Sequence, residues 1–297
     1  MKHLMSGAIV AGLALAAAAG GAASGEAPQP SDTHNITYAT VDGRALQLDL
    51  LMPEGITNPP LLVWVHGGAW RSGTRTSVRR EFVERGFATA AVSYRLSTDA
   101  RFPAMAHDIK AAIRFLRARA SDYGYSADRI AIAGDSAGAH LAALVGVSAG
   151  VAALEGTVGD DRDQSSAVQA IVDYYGASNL TTILQQSTPF GLEVRVPALE
   201  LLLGAVPQEA PDLARLASVT THVDAGDPPI LIFHGDQDPQ MPISQSHELD
   251  GAYDAAGLDA ELIVLHGAGH GGDVFYRGAH LDRAIAFLER TVGTGAR

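Results

Sequence analysis

The sequence predicts an α/β fold: a mostly parallel central sheet flanked by helices, with a small helical insertion in its C-terminal half. Three observations carry this expectation. Near-continuous apolar runs of strand length recur along the chain, patterns of helical period separate most of them, and one long interval fits neither description. Taken in order, ITYATVDGRALQLDLLMP alternates about Asp42-Gly43, as a β-hairpin does. PPLLVWVHGG and FATAAVSYRL follow, rich in Val, Leu and Ala, as strands buried on both faces are. Further runs of this kind are IAIAGDS, VQAIVDYYG, PPILIFHGD and ELIVLHGAG. Between them Met105, Ile109, Ile113 and Leu116 share one helical face, as do Leu281, Ile285 and Leu288. Strands alternating with such helices build a sheet with crossover connections. The exception is residues 176–227, with four prolines and an apolar patch from Leu199 to Leu203. This segment is expected to form a helical cap over the strand ends.

Composition narrows the function. The chain has 297 residues, 47% of them hydrophobic, which is enough for one large core. A formal charge of -12 and only two lysines, Lys2 and Lys110, exclude nucleic acid and acidic membrane surfaces as partners, because phosphate binding needs clustered cations. Cysteine is absent, so thiol catalysis, disulfides and cysteine metal sites are excluded together. Residues 1–27 have the order of a secretory signal peptide: Lys2, a small apolar run from Ala8 to Ala19, then cleavage near Ala23 or Ala27. The run is short and rich in Ala and Gly, which predicts no stable membrane association. A secreted or periplasmic protein with one catalytic domain over residues 28–297 is expected. The sequence sets no oligomeric state.

The chemistry centres on Gly134-Asp135-Ser136-Ala137-Gly138, a G-x-S-x-G motif between an apolar run and a helical pattern. There a serine occupies a tight strand-to-helix turn, so its flanking positions must lack bulk. A serine hydroxyl needs a base, and the base needs an acid, in the chain order Ser, acid, His. His270 follows the last apolar run and lies among glycines, with His266 as second choice. Two acids follow PPILIFHG. Asp236 stands where a short carboxylate closes a turn, whereas Asp238 precedes Pro239, which restrains it to extended backbone. Asp238 is therefore the predicted acid. Oxyanion donors are expected from the amides of Gly68 and Ala69 in His66-Gly67-Gly68-Ala69-Trp70, joined by that of Ala137. His66 reads as a residue holding the loop, and Trp70 as either pocket wall or packing. His266, His270 and Asp273 have no helical metal-binding register, so no metal and no cofactor is expected.

Together these residues resemble the α/β-hydrolase superfamily over nearly all of the chain. More narrowly, HGGAW, GDSAGAHLA, DQSSAVQAIVDYYG, HGDQDPQMPISQS and GAGHGG are similar to secreted bacterial carboxylesterases grouped with bifunctional acetylxylan and feruloyl esterases. The resemblance implies a serine carboxylesterase acting through an acyl-enzyme on a small-molecule or polysaccharide-linked ester, with the aspartate of HG-x-x-D, Asp238, as acid. Position 69 departs from the three-glycine pattern of hormone-sensitive lipases, but alanine keeps the amide. HGG-x-W also resembles kynurenine formamidases, against which the export signal speaks. A lipase, a polyester hydrolase and a non-catalytic binding protein of the same fold stay open at this stage.

Overall fold

The computed structural model describes residues 32–293; the signal peptide expected over residues 1–27 lies outside them. The strands are β1 (Thr33–Val41), β2 (Arg44–Leu51), β3 (Leu61–Val65), β4 (Ala88–Val92), β5 (Ile130–Asp135), β6 (Ala170–Tyr174), β7 (Ile230–Gly235) and β8 (Ala260–Leu265). They form one sheet in the order β1-β2-β4-β3-β5-β6-β7-β8. β1 pairs antiparallel with β2, and β2 with β4, while β3 to β8 are parallel. Asp42 and Gly43 close the predicted hairpin with φ of 50° and 80°, the twist that a primed two-residue turn requires.

The helices are α1 (Arg80–Glu84), α2 (Ala104–Ala118), α3 (Ala120–Tyr123), α4 (Ala137–Gly146), α5 (Ala152–Glu155), α6 (Ile183–Gln186), α7 (Pro189–Leu203), α8 (Pro211–Leu216), α9 (Ser244–Ala256) and α10 (Gly278–Thr291). Two cores explain the continuous apolar runs. Leu61, Val63 and Val65 of β3 pack with Ile109 and Ile113 of α2 and Leu141 of α4. Leu62 and Trp64 point the other way, to Phe82 of α1 and Leu281 and Leu288 of α10. A strand buried on both faces needs apolar residues at every position, and β3 has them. Beyond the apolar packing, α2 is tied to α5 by charge. The buried Lys110 amine donates to Ser148 O at 2.5 Å and to Glu155 Oε1 at 2.7 Å, and Arg114 reaches Glu155 Oε2 at 2.9 Å.

Residues 176–227 contain α6, α7 and α8. Their sequence accounts for the ends of α7. Thr188 accepts from Gly191 N at 3.0 Å as N-cap, Pro189 sits in the first turn where its missing N–H costs nothing, and Gly204 ends the helix at φ 87°. Leu199, Leu202 and Leu203 are buried, whereas Phe190 and Leu201 are exposed. The parallel register sets Val65 beside Gly134, Asp135 beside Tyr174 and Gly235 beside Leu265. The loops that follow β3, β5, β6, β7 and β8 thus leave the sheet from one edge.

Candidate active site

Ser136 sits between β5 and α4 at φ 53° and ψ −118°. Such a backbone is costly for a residue with a Cβ and persists only when its surroundings fix it. They do so through the two glycines. A Cβ on Gly134 would lie 2.5 Å from Gly138 O and 2.7 Å from Val65 O, and one on Gly138 would lie 2.2 Å from Val65 O. No side chain fits at either place. Ser136 N also donates to Tyr174 O at 2.9 Å, tying the turn to β6.

His270 Nε2 lies 2.9 Å from Ser136 Oγ, and its Nδ1 lies 2.6 Å from Asp238 Oδ2. A carboxylate only accepts, so Nδ1 carries the ring proton and Nε2 is free to accept from the hydroxyl. Asp238 is buried, and Pro239 follows it in the chain. Its Oδ1 accepts from the amides of Gln240 and Met241, both at 2.8 Å. Burial pushes the carboxyl upward, but His234, His270 and the Met241 amide together hold it well below the usual carboxylate range. It is an anion at every working pH. Asp236 faces elsewhere: it pairs with exposed His266 at 2.8 Å and accepts from Gly267 N at 2.7 Å, which closes the turn.

The loop after β3 runs through left-handed backbone, with φ of 114° at Gly68, 51° at Ala69 and 59° at Trp70. Among the described residues the Gly68 and Ala69 amides donate to no protein acceptor, and the Ala137 amide, at the first turn of α4, has no intrahelical one. Gly67 packs against Ser136, since a Cβ there would stand 3.3 Å from the serine Cβ. Its amide donates to Asp135 Oδ1 at 2.8 Å. Burial raises the Asp135 carboxyl, while this bond and the nearby Arg79 guanidinium lower it. His66 stacks on Tyr94 at 4.5 Å, and its Nδ1 lies 2.8 Å from Gly67 O. Burial lowers its pKa, keeping the ring neutral in a loop-holding position.

Several residues at the site carry no sequence signal for what they do. Trp70 is wholly buried and donates from Nε1 to His140 Nδ1 at 3.0 Å, while His140 Nε2 donates to Ala217 O at 2.7 Å. Burial pushes His140 down to about 4, so it is neutral and joins the β3 loop, α4 and the insertion. Tyr175, at φ 51°, turns its ring edge to His270 at 4.9 Å and shares a hydrogen bond with Tyr276 at 2.7 Å. His234 lies 3.5 Å from Asp238 and accepts from Ser246 Oγ at 2.6 Å. Arg195, in α7, donates to Gln240 O. The doubled tyrosine at the end of β6 and the histidine two residues before Asp236 are visible in the sequence, but only the fold shows what they touch.

The sheet order, the crossover helices and the strand-to-helix serine turn define the α/β-hydrolase fold. Solved structures with this fold cover most of the chain. A truncated carbohydrate esterase from gut microbiota is 29% identical with a TM-score of 0.79, over 89% of this chain and 97% of its own. An esterase from the planctomycete Thermogutta terrifontis is 28% identical with a TM-score of 0.69, over 86% and 91%; it has also been solved phosphonylated by sarin. The chain belongs to the BD-FAE family, which matches residues 48–253. Esterase LipQ of Mycobacterium tuberculosis is 34% identical over 82% of this chain. The chain spans about half the length of the curated relatives it matches, with coverage of 58%, 53% and 48% for three of them.

Proposed function

We propose that the protein is an exported carboxylic ester hydrolase working through an acyl-enzyme at Ser136. The observation that carries this reading is the unbroken hydrogen-bond chain from Asp238 to His270 to Ser136, at 2.6 and 2.9 Å, beside amides with no protein acceptor. His270 Nε2 takes the hydroxyl proton as Oγ attacks the ester carbonyl. The tetrahedral oxyanion is received by the amides of Gly68, Ala69 and Ala137, and Asp238 stabilises the imidazolium. Collapse breaks the bond to the alcohol oxygen, which leaves with the Nε2 proton. Water then enters, gives its proton to Nε2, and releases the acid from Ser136 by the same steps in reverse.

Acetyl or feruloyl esters of plant polysaccharide are the proposed substrates. BD-FAE family membership and the likeness to a carbohydrate esterase support this, and the leader sequence supports export. The test is a hydrolysis screen of p-nitrophenyl esters of increasing chain length beside acetylated xylan and methyl ferulate, with Ser136→Ala as control. The variant should lose several orders of magnitude in turnover, as removal of a nucleophile does elsewhere, and retain its thermal melt. Near-normal turnover in that variant overturns the mechanism; uniform inactivity on polysaccharide and feruloyl esters overturns the substrate class.

A further inference from the structure

Arg195 is an unusual occupant of α7. It is 1% exposed, has no carboxylate partner within salt-bridge distance among the described residues, and its Nη1 is buried without a hydrogen-bond partner. Burying a guanidinium this way is expensive, and an apolar residue of similar size would cost less. What it does touch is one carbonyl: Nε and Nη2 donate to Gln240 O at 3.3 and 3.2 Å. The N–H of that same peptide unit belongs to Met241, and it donates to Asp238 Oδ1 at 2.8 Å. A cation on the carbonyl end polarises the peptide and strengthens donation from its N–H end.

We propose that Arg195 is a positioning residue for the acid: through the Gln240–Met241 peptide it holds the Asp238 carboxylate and biases the His270–Asp238 pair toward neutral imidazole. This rests on the hydrolytic reading of Ser136. Burial lowers the guanidinium to about 10, with Asp238 as the charge that opposes the fall, so the cation persists at neutral pH. The other groups facing the pair are Asp135 at the end of β5, Tyr175 after β6, His234 in β7 and Tyr276 beyond His270. Arg79 balances Asp135 and Tyr175 from the far side, and His140 near Arg195 is neutral. Asp135 favours an imidazolium, whereas Arg195 opposes it from the insertion. The insertion therefore reaches the proton-transfer machinery.

The test compares Arg195→Met with Arg195→Lys, reading kcat/KM against pH on p-nitrophenyl acetate and the imidazole titration of His270 by NMR. In Arg195→Met the acid limb and the imidazole titration should both move to higher pH by roughly half a unit or more. Its kcat should fall several-fold with KM little changed. Arg195→Lys keeps the charge and should return the limb toward its parent position. Should the methionine variant not fold, Arg195→Gln keeps a donor for Gln240 O without the charge and makes the same comparison. An unmoved limb and titration in a folded charge-removing variant overturn the proposal, as does a lysine variant that shifts as far as the methionine one. If the parent protein hydrolyses no ester, the hydrolytic reading fails, and the imidazole titration still decides the role of Arg195.

Discussion

Asp236 and Asp238 are two residues apart, yet the fold gives them opposite surroundings. Asp238 is buried under two amides and two imidazoles, while Asp236 caps a turn at the surface beside His266. In Asp238→Asn the amide can donate to His270 Nδ1 and favour the tautomer with its proton on Nε2, which cannot accept from Ser136. By the serine-protease precedent kcat should fall about 10⁴-fold with the fold intact. Asp236→Asn should change the melting temperature more than kcat. Steady-state kinetics and thermal melts on both variants decide, and a collapse of kcat confined to Asp236→Asn reverses the assignment. Ser136, His270 and the aspartate were legible because each stands at a motif with its own local signature: flanking glycines, a position after an apolar run, a following proline. Arg195, Tyr175 and His234 have no such signature. Arg195 acts on Gln240, 45 residues away in sequence, and nothing in VRVPALELLL distinguishes an arginine bound for solvent from one bound for a buried carbonyl.

At the scale of elements, α7 is where local pattern misleads. Its buried residues Gly191, Arg195, Ala198, Leu199, Leu202 and Leu203 lie on one face at i, i+4, i+7, i+8, i+11 and i+12, but the apolar pattern hides that face because Arg195 stands on it while Phe190 and Leu201 are exposed opposite. Apolar density in the patch Leu199–Leu203 therefore indicates a packed helix without saying against what. The start of α7 lies on the acid loop: Thr188 Oγ1 donates to Pro239 O at 2.9 Å, and a Cβ on Gly191 would stand 3.2 Å from Gln240 O. Phe190, between these two contacts, is 52% exposed, so a large aromatic ring stands in solvent beside residues that touch the segment following Asp238. Phe190→Ala should change the ratio of acetyl to longer or aromatic acyl turnover while the acetyl rate itself stays within a few-fold. Rates on p-nitrophenyl acetate, butyrate and octanoate measure this, and an equal factor on all three would mean that Phe190 is not part of the acyl-binding surface. β8 is the converse case. ELIVLH reads as a buried strand, but as the last strand of the sheet β8 is half-buried along most of its length.

For the molecule as a whole, alternating strands and helices were legible because burial on two faces leaves a continuous apolar run. Strand order was not, since periodicity reports how a segment is buried and says nothing of its neighbour. The assembled fold also holds two buried groups whose linkages to pH oppose each other. Burial pushes Asp173 up to about 6, and Asp173 is held in place by Gly176 N at 2.7 Å. The folded state therefore binds its proton before the unfolded chain does, and its contribution to stability falls as pH rises from about 4 through 6. His140, pushed down to about 4, contributes fully above its unfolded value and loses that contribution as pH falls toward 4. Asp173→Asn removes the first effect and leaves the second. Relative to the parent, the variant should lose about 2–3 kcal/mol between pH 7 and pH 4. Urea unfolding at the two pH values measures the difference, and an equal gap at both would show that Asp173 ionises normally in the folded chain.

The lysine between α2 and α5 has a practical consequence. Lys110 is the only amine side chain in residues 32–293, and it is closed off by Ser148 and Glu155. An acylating reagent can modify it only in molecules where those helices have parted. The mass increment on the peptide carrying Lys110 then counts opened molecules one by one, which makes covalent tagging a direct measure of local unfolding in this chain.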